Sequence, residues 1–121
     1  VVVVGAGIVG LCTAMLLAES GVSVVVLEGR VPGSGTTGRS TAKATLLQGT
    51  RAASIRQHRG ADALAAYVSA NQSGFELLAR VADEVPEVAE PADAWTYATD
   101  RVGARAVRAE AAALTSAGLG A

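Results

Sequence analysis

The sequence predicts an α/β fold built on a parallel sheet that opens with a β-α-β unit, and three observations support this. Two β-branched runs, Val1-Val2-Val3-Val4 and Val22-Ser23-Val24-Val25-Val26-Leu27, flank a segment of helical periodicity. The connections between them are short and rich in glycine, so strand, helix and strand follow within 27 residues. Half of the 121 residues are hydrophobic while aromatic residues make up only 3%. A core of small aliphatic side chains of this kind suits closely packed helix and sheet layers.

Val1 to Val4 is an unbroken β-branched run, the pattern of a parallel strand buried on both faces. From Ile8 to Ser20 the apolar residues Ile8, Leu11, Cys12, Met15 and Leu16 recur at helical spacing, and Gly21 closes the helix. Val22 to Leu27 returns as the second strand, parallel to the first through a right-handed crossover. Residues 29–41 are rich in Gly, Pro, Ser, Thr and Arg and predict an ordered loop feeding a helix. The spacing then predicts a helix over about 41–55 and a longer one over 60–84, weakened in its middle by Asn71, Ser73 and Gly74. Residues 85–93 predict a connection, Ala94-Trp95-Thr96-Tyr97-Ala98-Thr99 alternates like a strand, and 102–117 predicts a last helix.

Ten basic residues stand against eleven acidic ones, so charge supplies no footprint for nucleic acid or an anionic membrane. No run is long enough to span a bilayer, and the opening valines have no basic leader. The single cysteine, Cys12, excludes an intrachain disulfide and a cysteine-based metal site within these residues, and it is compatible with the cytoplasm. The chain opens inside a strand without an initiator methionine and closes on Gly118-Leu119-Gly120-Ala121. A piece of a longer protein is therefore expected, with residues 1–90 forming a Rossmann-like nucleotide-binding segment and 91–121 the start of an incomplete substrate domain.

Gly5-Ala6-Gly7-Ile8-Val9-Gly10 is G-x-G-x-x-G, and its setting makes it specific: it leaves a strand, opens a helix, and is followed by Glu28 at the end of the second strand. Gly5 permits the tight turn, Gly7 lets backbone approach a pyrophosphate, and Gly10 lets helix and sheet pack closely. Ala14 extends that approach by one turn. The pyrophosphate is expected at the helix N-terminus, where free N–H groups and the dipole favour an anion. Glu28 can accept both ribose hydroxyls and would repel a 2′-phosphate, which disfavours NADP. No Gly-Lys-Ser or Gly-Lys-Thr follows the glycines, so a P-loop is excluded. The motif itself leaves FAD and NAD open, because both carry the ADP moiety.

The loop after Glu28 separates them. Through Val1 to Gly10, the Val22-to-Glu28 strand, Arg30 and the run Ser34-Gly35-Thr36-Thr37-Gly38-Arg39-Ser40-Thr41-Ala42-Lys43, the chain resembles the FAD-dependent oxidoreductases of the D-amino-acid oxidase and glycine oxidase superfamily. Within it, Gly35 to Thr45 looks most like the branch carrying a C-terminal Rieske [2Fe–2S] domain; the cluster ligands are absent here, so such a cluster is implied only for missing C-terminal chain. The resemblance implies FAD as cofactor, with Gly5, Gly7, Ile8, Val9 and Gly10 along the pyrophosphate and Glu28, Gly29 and Arg30 at the adenosine. It also implies that Thr36, Thr37, Ser40, Thr41, Ala42 and Lys43 offer donors to phosphate and the flavin edge. It further implies oxidation of a small amine, amino acid or similar donor by hydride transfer to flavin. The alternatives are an NAD-dependent dehydrogenase on the same β-α-β unit and a non-catalytic module. No catalytic residue and no metal ligand is assigned within these residues, and the partner expected is a small-molecule substrate.

Five further residues are read as structural. His58, among Arg56, Gln57 and Arg59, is expected to be solvated, and Cys12 to be an inert core thiol. Trp95 and Tyr97 share one face of the late strand and are expected to pack in a sheet. Glu110 is expected on an ordinary solvated helix.

Overall fold

The computed structural model describes residues 1–120, which form two compact units, Val1–Lys43 and the unit that begins at Ala44. In the first, β1 (Val2–Val4) and β2 (Val25–Leu27) pair in parallel, with Val2 opposite Val25, Val3 opposite Val26 and Val4 opposite Leu27. The helix between them, α1 (Ile8–Glu19), packs on both strands. Its end is fixed by Gly21, whose φ of +79° lets the Val22 N–H reach the Leu17 carbonyl. A 3-10 turn at Thr37–Arg39 follows in the loop.

The inward face of α1 differs from the predicted stripe. Ile8, Leu11 and Leu16 are exposed, while Ala14 is buried and Gly10 and Cys12 are half-buried. Gly10 and Ala14 lie one turn apart, and their small size brings helix against sheet more closely than the leucines could. The strands depart from expectation too. Val3 and Val26 are half-buried beneath α1, but Val2, Val4, Val25 and Leu27 point the other way and are 53–83% exposed. A strand's side chains alternate, so one helix covers one face, and among the described residues no second layer covers the other.

The second unit is helical. α2 (Arg51–Asp83) and α3 (Arg101–Ser116) pack around Ala52, Leu64, Val68, Ala113 and Leu114, with Leu47, Ile55, Tyr67 and Leu119 against them. A 3-10 turn at Pro86–Val88 follows α2. Asp100 caps α3 by accepting the Gly103 N–H at 2.7 Å. Gly118, at φ +88°, ends it by letting the Leu119 N–H reach the Leu114 carbonyl.

Three expectations for this half are corrected. No helix forms over 41–50: the Ser40 and Thr45 hydroxyls accept the amides of Ala42 and Leu47, local turns that compete with a helix, and Ala42 and Gly49 have positive φ. The alternating segment 94–99 is not a strand, since no strand lies beside it among the described residues, and Trp95 and Tyr97 are both 81% exposed. Glu110 is buried rather than solvated: its two oxygens accept the Ala52 and Ala53 amides at 2.9 and 2.7 Å. It caps the start of α2 from the neighbouring helix.

The weak point of α2 is Gly60 rather than residues 71–74, where the helix is unbroken and Asn71 donates to the Tyr67 carbonyl. Gly60 adopts φ +87° and ψ 178°, a region open almost only to glycine. Gly60→Ala is expected to cost about 1–3 kcal/mol, read as a lower urea midpoint at unchanged slope. His58 is exposed as expected, its Nδ1 bonded to the Ser54 carbonyl. No helix among the described residues is long and apolar enough to cross a membrane.

Candidate functional site

The site grows out of the turn between β1 and α1. Gly5 takes φ +98°, which turns the chain sharply off β1 while its N–H still donates to the Leu27 carbonyl at 2.8 Å. Gly10 follows as the contact point of helix and turn: a Cβ there would stand 2.0 Å from the Gly5 oxygen and 3.5 Å from Val3 Cγ1. Gly7 has an ordinary negative φ, so conformation does not require glycine at that position. Space there is tight, because a Cβ on Gly7 would meet Thr37 Oγ1 at 3.3 Å.

The loop after β2 returns to this turn and is bonded to it. Gly33 donates to the Ala6 carbonyl at 2.9 Å, and the Thr37 hydroxyl accepts the Ile8 amide at 3.0 Å. The loop is itself tight, since a Cβ on Gly38 would lie 2.4 Å from the Gly33 oxygen. Because Thr37 Oγ1 accepts from Ile8, its own proton is left to donate elsewhere. Ile8, Val9 and Gly10 form the first turn of α1, whose amides have no acceptor within the helix. Thr37 satisfies one of them.

These elements line an open pocket of about 680 Å³. Gly5, Gly7, Ile8, Val9, Gly10, Thr36, Thr37 and Ser40 all border it, so eight of the residues selected from the sequence come together. Val3, Val4 and Thr13 also line it and were not singled out from the sequence. Thr13 stands one turn beyond Val9, to whose carbonyl its hydroxyl donates at 2.8 Å. Gly33 and Gly38 shape the loop and lay unmarked in a Gly-rich run. No lining residue is acidic.

The remaining selected residues lie outside this lining. Glu28, Gly29 and Arg30 are exposed at the end of β2, and Thr41, Ala42 and Lys43 are exposed where the first unit ends. Glu28 nonetheless touches the turn, accepting the Ala6 amide at Oε2 (2.8 Å) and the Arg30 amide at Oε1 (2.9 Å). The Ala6 amide, then that of Arg30, hold the Glu28 carboxyl below the ordinary glutamate range, with smaller help from the Arg30 charge and the Gly29 amide and some opposition from desolvation. Its folded value lies below its unfolded one, so the stability it contributes is complete above the unfolded value and is lost as pH falls through the folded one. A carboxyl-carbon NMR titration should place the Glu28 midpoint below that of a glutamate in an unstructured peptide.

The arrangement offers helix-end amides, the Thr37 hydroxyl and no anionic wall, a surface for a phosphate-bearing ligand. Among the described residues no group of three His, Cys, Asp or Glu could hold a metal ion. The family model for FAD dependent oxidoreductases (DAO) matches residues 1–121. A Bacillus subtilis (strain 168) protein named "Putative Rieske 2Fe-2S iron-sulfur protein YhfW" is 29% identical over 121 residues, covering 98% of this chain and 24% of its own length. The chain thus spans about a quarter of that curated relative. No solved structure matches.

Proposed function

The chain belongs to the DAO family of FAD-dependent oxidoreductases, and we propose that its first unit grips the ADP part of FAD, with the pyrophosphate at the first turn of α1 and the ribose at Glu28. The observation that carries this reading is the acid-free pocket bordered by the start of α1, Thr36, Thr37 and Ser40, with the Thr37 hydroxyl bonded to the Ile8 amide. The residues fit the group. Gly7 leaves open the room that a side chain would fill, and the Thr37 proton is available to a phosphate oxygen. Gly5, Ile8, Val9 and Gly10 supply backbone along the pyrophosphate. Arg30 and Gly29 would border the adenosine, and Thr41, Ala42 and Lys43 would meet the far part of the cofactor.

When bound, the flavin supplies the two-electron acceptor for oxidation of a small amine, amino acid or similar donor by hydride transfer. These residues contribute binding and orientation, and the contacts that orient substrate belong to other parts of the protein. On this reading residues 1–90 are the FAD-binding segment and a substrate domain begins near Pro91. The Rieske name of the Bacillus relative, together with the Gly35-to-Thr45 run, supports a [2Fe–2S] domain further along the full protein. The partner is a small molecule, without nucleic acid or membrane, and the single cysteine fits work in the cytoplasm.

The test is flavin content of the purified full-length protein. Wild type should show flavin absorbance bands, and Gly7→Val should lose at least about tenfold in retained flavin, because its side chain fills the pyrophosphate space. A flavin-free wild type with saturable NAD binding would overturn the reading in favour of a nicotinamide dehydrogenase.

A further inference from the structure

The Ala6 peptide is held from both sides. Its N–H donates to Glu28 Oε2 at 2.8 Å and its carbonyl accepts the Gly33 N–H at 2.9 Å, and Ala6 is only 2% exposed. Glu28 is itself oriented, because its other oxygen accepts the Arg30 amide at 2.9 Å. A carboxylate has about four acceptor positions, so these two bonds leave room for ribose hydroxyls.

We infer that Glu28 is a positioning residue for the glycine-rich turn: through the Ala6 amide it holds residues 5–8 in their anion-accepting shape before a ligand arrives, a role separate from its proposed ribose contact. The inference deepens the FAD reading and rests on it for the identity of the ligand. The geometry of the turn stands without it. Neither neighbouring bond replaces the Glu28 contact, since Gly5 is tied through its own amide to Leu27 and Ile8 through its amide to Thr37. Without the carboxylate, the Ala6 N–H would face the interior of the turn with no acceptor.

The role is separable because inorganic pyrophosphate has no ribose and does not require Glu28 for contact. Removing a negative charge near the site would strengthen pyrophosphate binding by Coulomb attraction alone, whereas loss of the clasp weakens it. The two effects have opposite signs. Glutamine can still accept the Ala6 N–H through Oε1, though not the Arg30 N–H as well, and so should retain most of the clasp.

Hydrogen exchange of the Ala6 amide in ligand-free full-length protein, with pyrophosphate and ADP titrations by calorimetry, tests this in wild type, Glu28→Ala and Glu28→Gln. The amides of Leu64 and Val68 report whether the rest of the chain stays folded. Glu28→Ala should speed Ala6 exchange at least about tenfold and weaken pyrophosphate about tenfold, as expected for one lost charge-assisted bond, with Glu28→Gln close to wild type. Unchanged Ala6 exchange in Glu28→Ala would overturn the inference, as would stronger or unchanged pyrophosphate binding beside weakened ADP binding. If wild type binds neither ligand, the FAD reading fails, and Ala6 exchange alone then decides the clasp.

Discussion

Gly10→Ala is expected to lose about 3 kcal/mol of stability in the first unit and to retain no flavin, a larger effect than an alanine at any other glycine of the motif. The added Cβ would lie 2.0 Å from the Gly5 oxygen and 3.1 Å from the Gly5 carbonyl carbon. Both are backbone atoms of a turn that already uses φ +98°, and they can move only if α1 lifts from β1. The contrast with Gly7→Ala is instructive. There the new atom meets the Thr37 hydroxyl at 3.3 Å, and a side chain can shift by a few tenths of an ångström. Hydrogen exchange of the Gly5 and Val25 amides, which donate across the β1–β2 pair to Leu27 and Val1, during a urea series separates the two, and wild-type protection in Gly10→Ala would contradict the close approach described for that residue.

Glu110→Ala should destabilise the helical unit by about 2–3 kcal/mol. The residue is 5% exposed, and its oxygens take the amides of Ala52 and Ala53, which open α2 58 and 57 residues earlier in the chain. Removing the carboxylate strands two first-turn donors beside a core residue, Ala52, that is 1% exposed. Glu110→Gln should cost less, since one oxygen still accepts one of the two amides. Thermal melts followed at the α2 and α3 amides check the ordering, Ala below Gln below wild type. Equal melts for Ala and wild type would mean that water replaces the cap.

The first unit was legible because its signals are local. A strand, three glycines at fixed offsets, a helix and an acid at the next strand's end each encode their own geometry, and the structure returns that β-α-β order with Gly5, Gly10 and Ala14 in the expected packing roles. The failures came where the deciding partner is distant in sequence. Glu110 looks solvated beside its alanine neighbours, and only the folding of α3 onto α2 reveals amides waiting for it. Trp95 and Tyr97 alternate as a strand does, but alternation supplies no partner to complete a ladder. The stretch from Thr41 to Thr50 has helix-forming residues, yet the hydroxyls of Ser40 and Thr45 turn the backbone back on itself. For the site, composition marked the loop as polar. It could not indicate that Thr37 would cap Ile8 or that Thr41, Ala42 and Lys43 would stand outside the pocket.

The doubly tied Ala6 peptide also bears on how affinity is divided between protein and ligand. Ordering one residue of flexible chain costs about 1–2 kcal/mol in conformational entropy at room temperature. Gly5, Ala6 and Ile8 are each hydrogen-bonded to groups later in the chain, Leu27, Glu28, Gly33 and Thr37. These bonds come from the chain's own fold, so on the proposed reading a diphosphate would not have to supply the ordering of the turn as well.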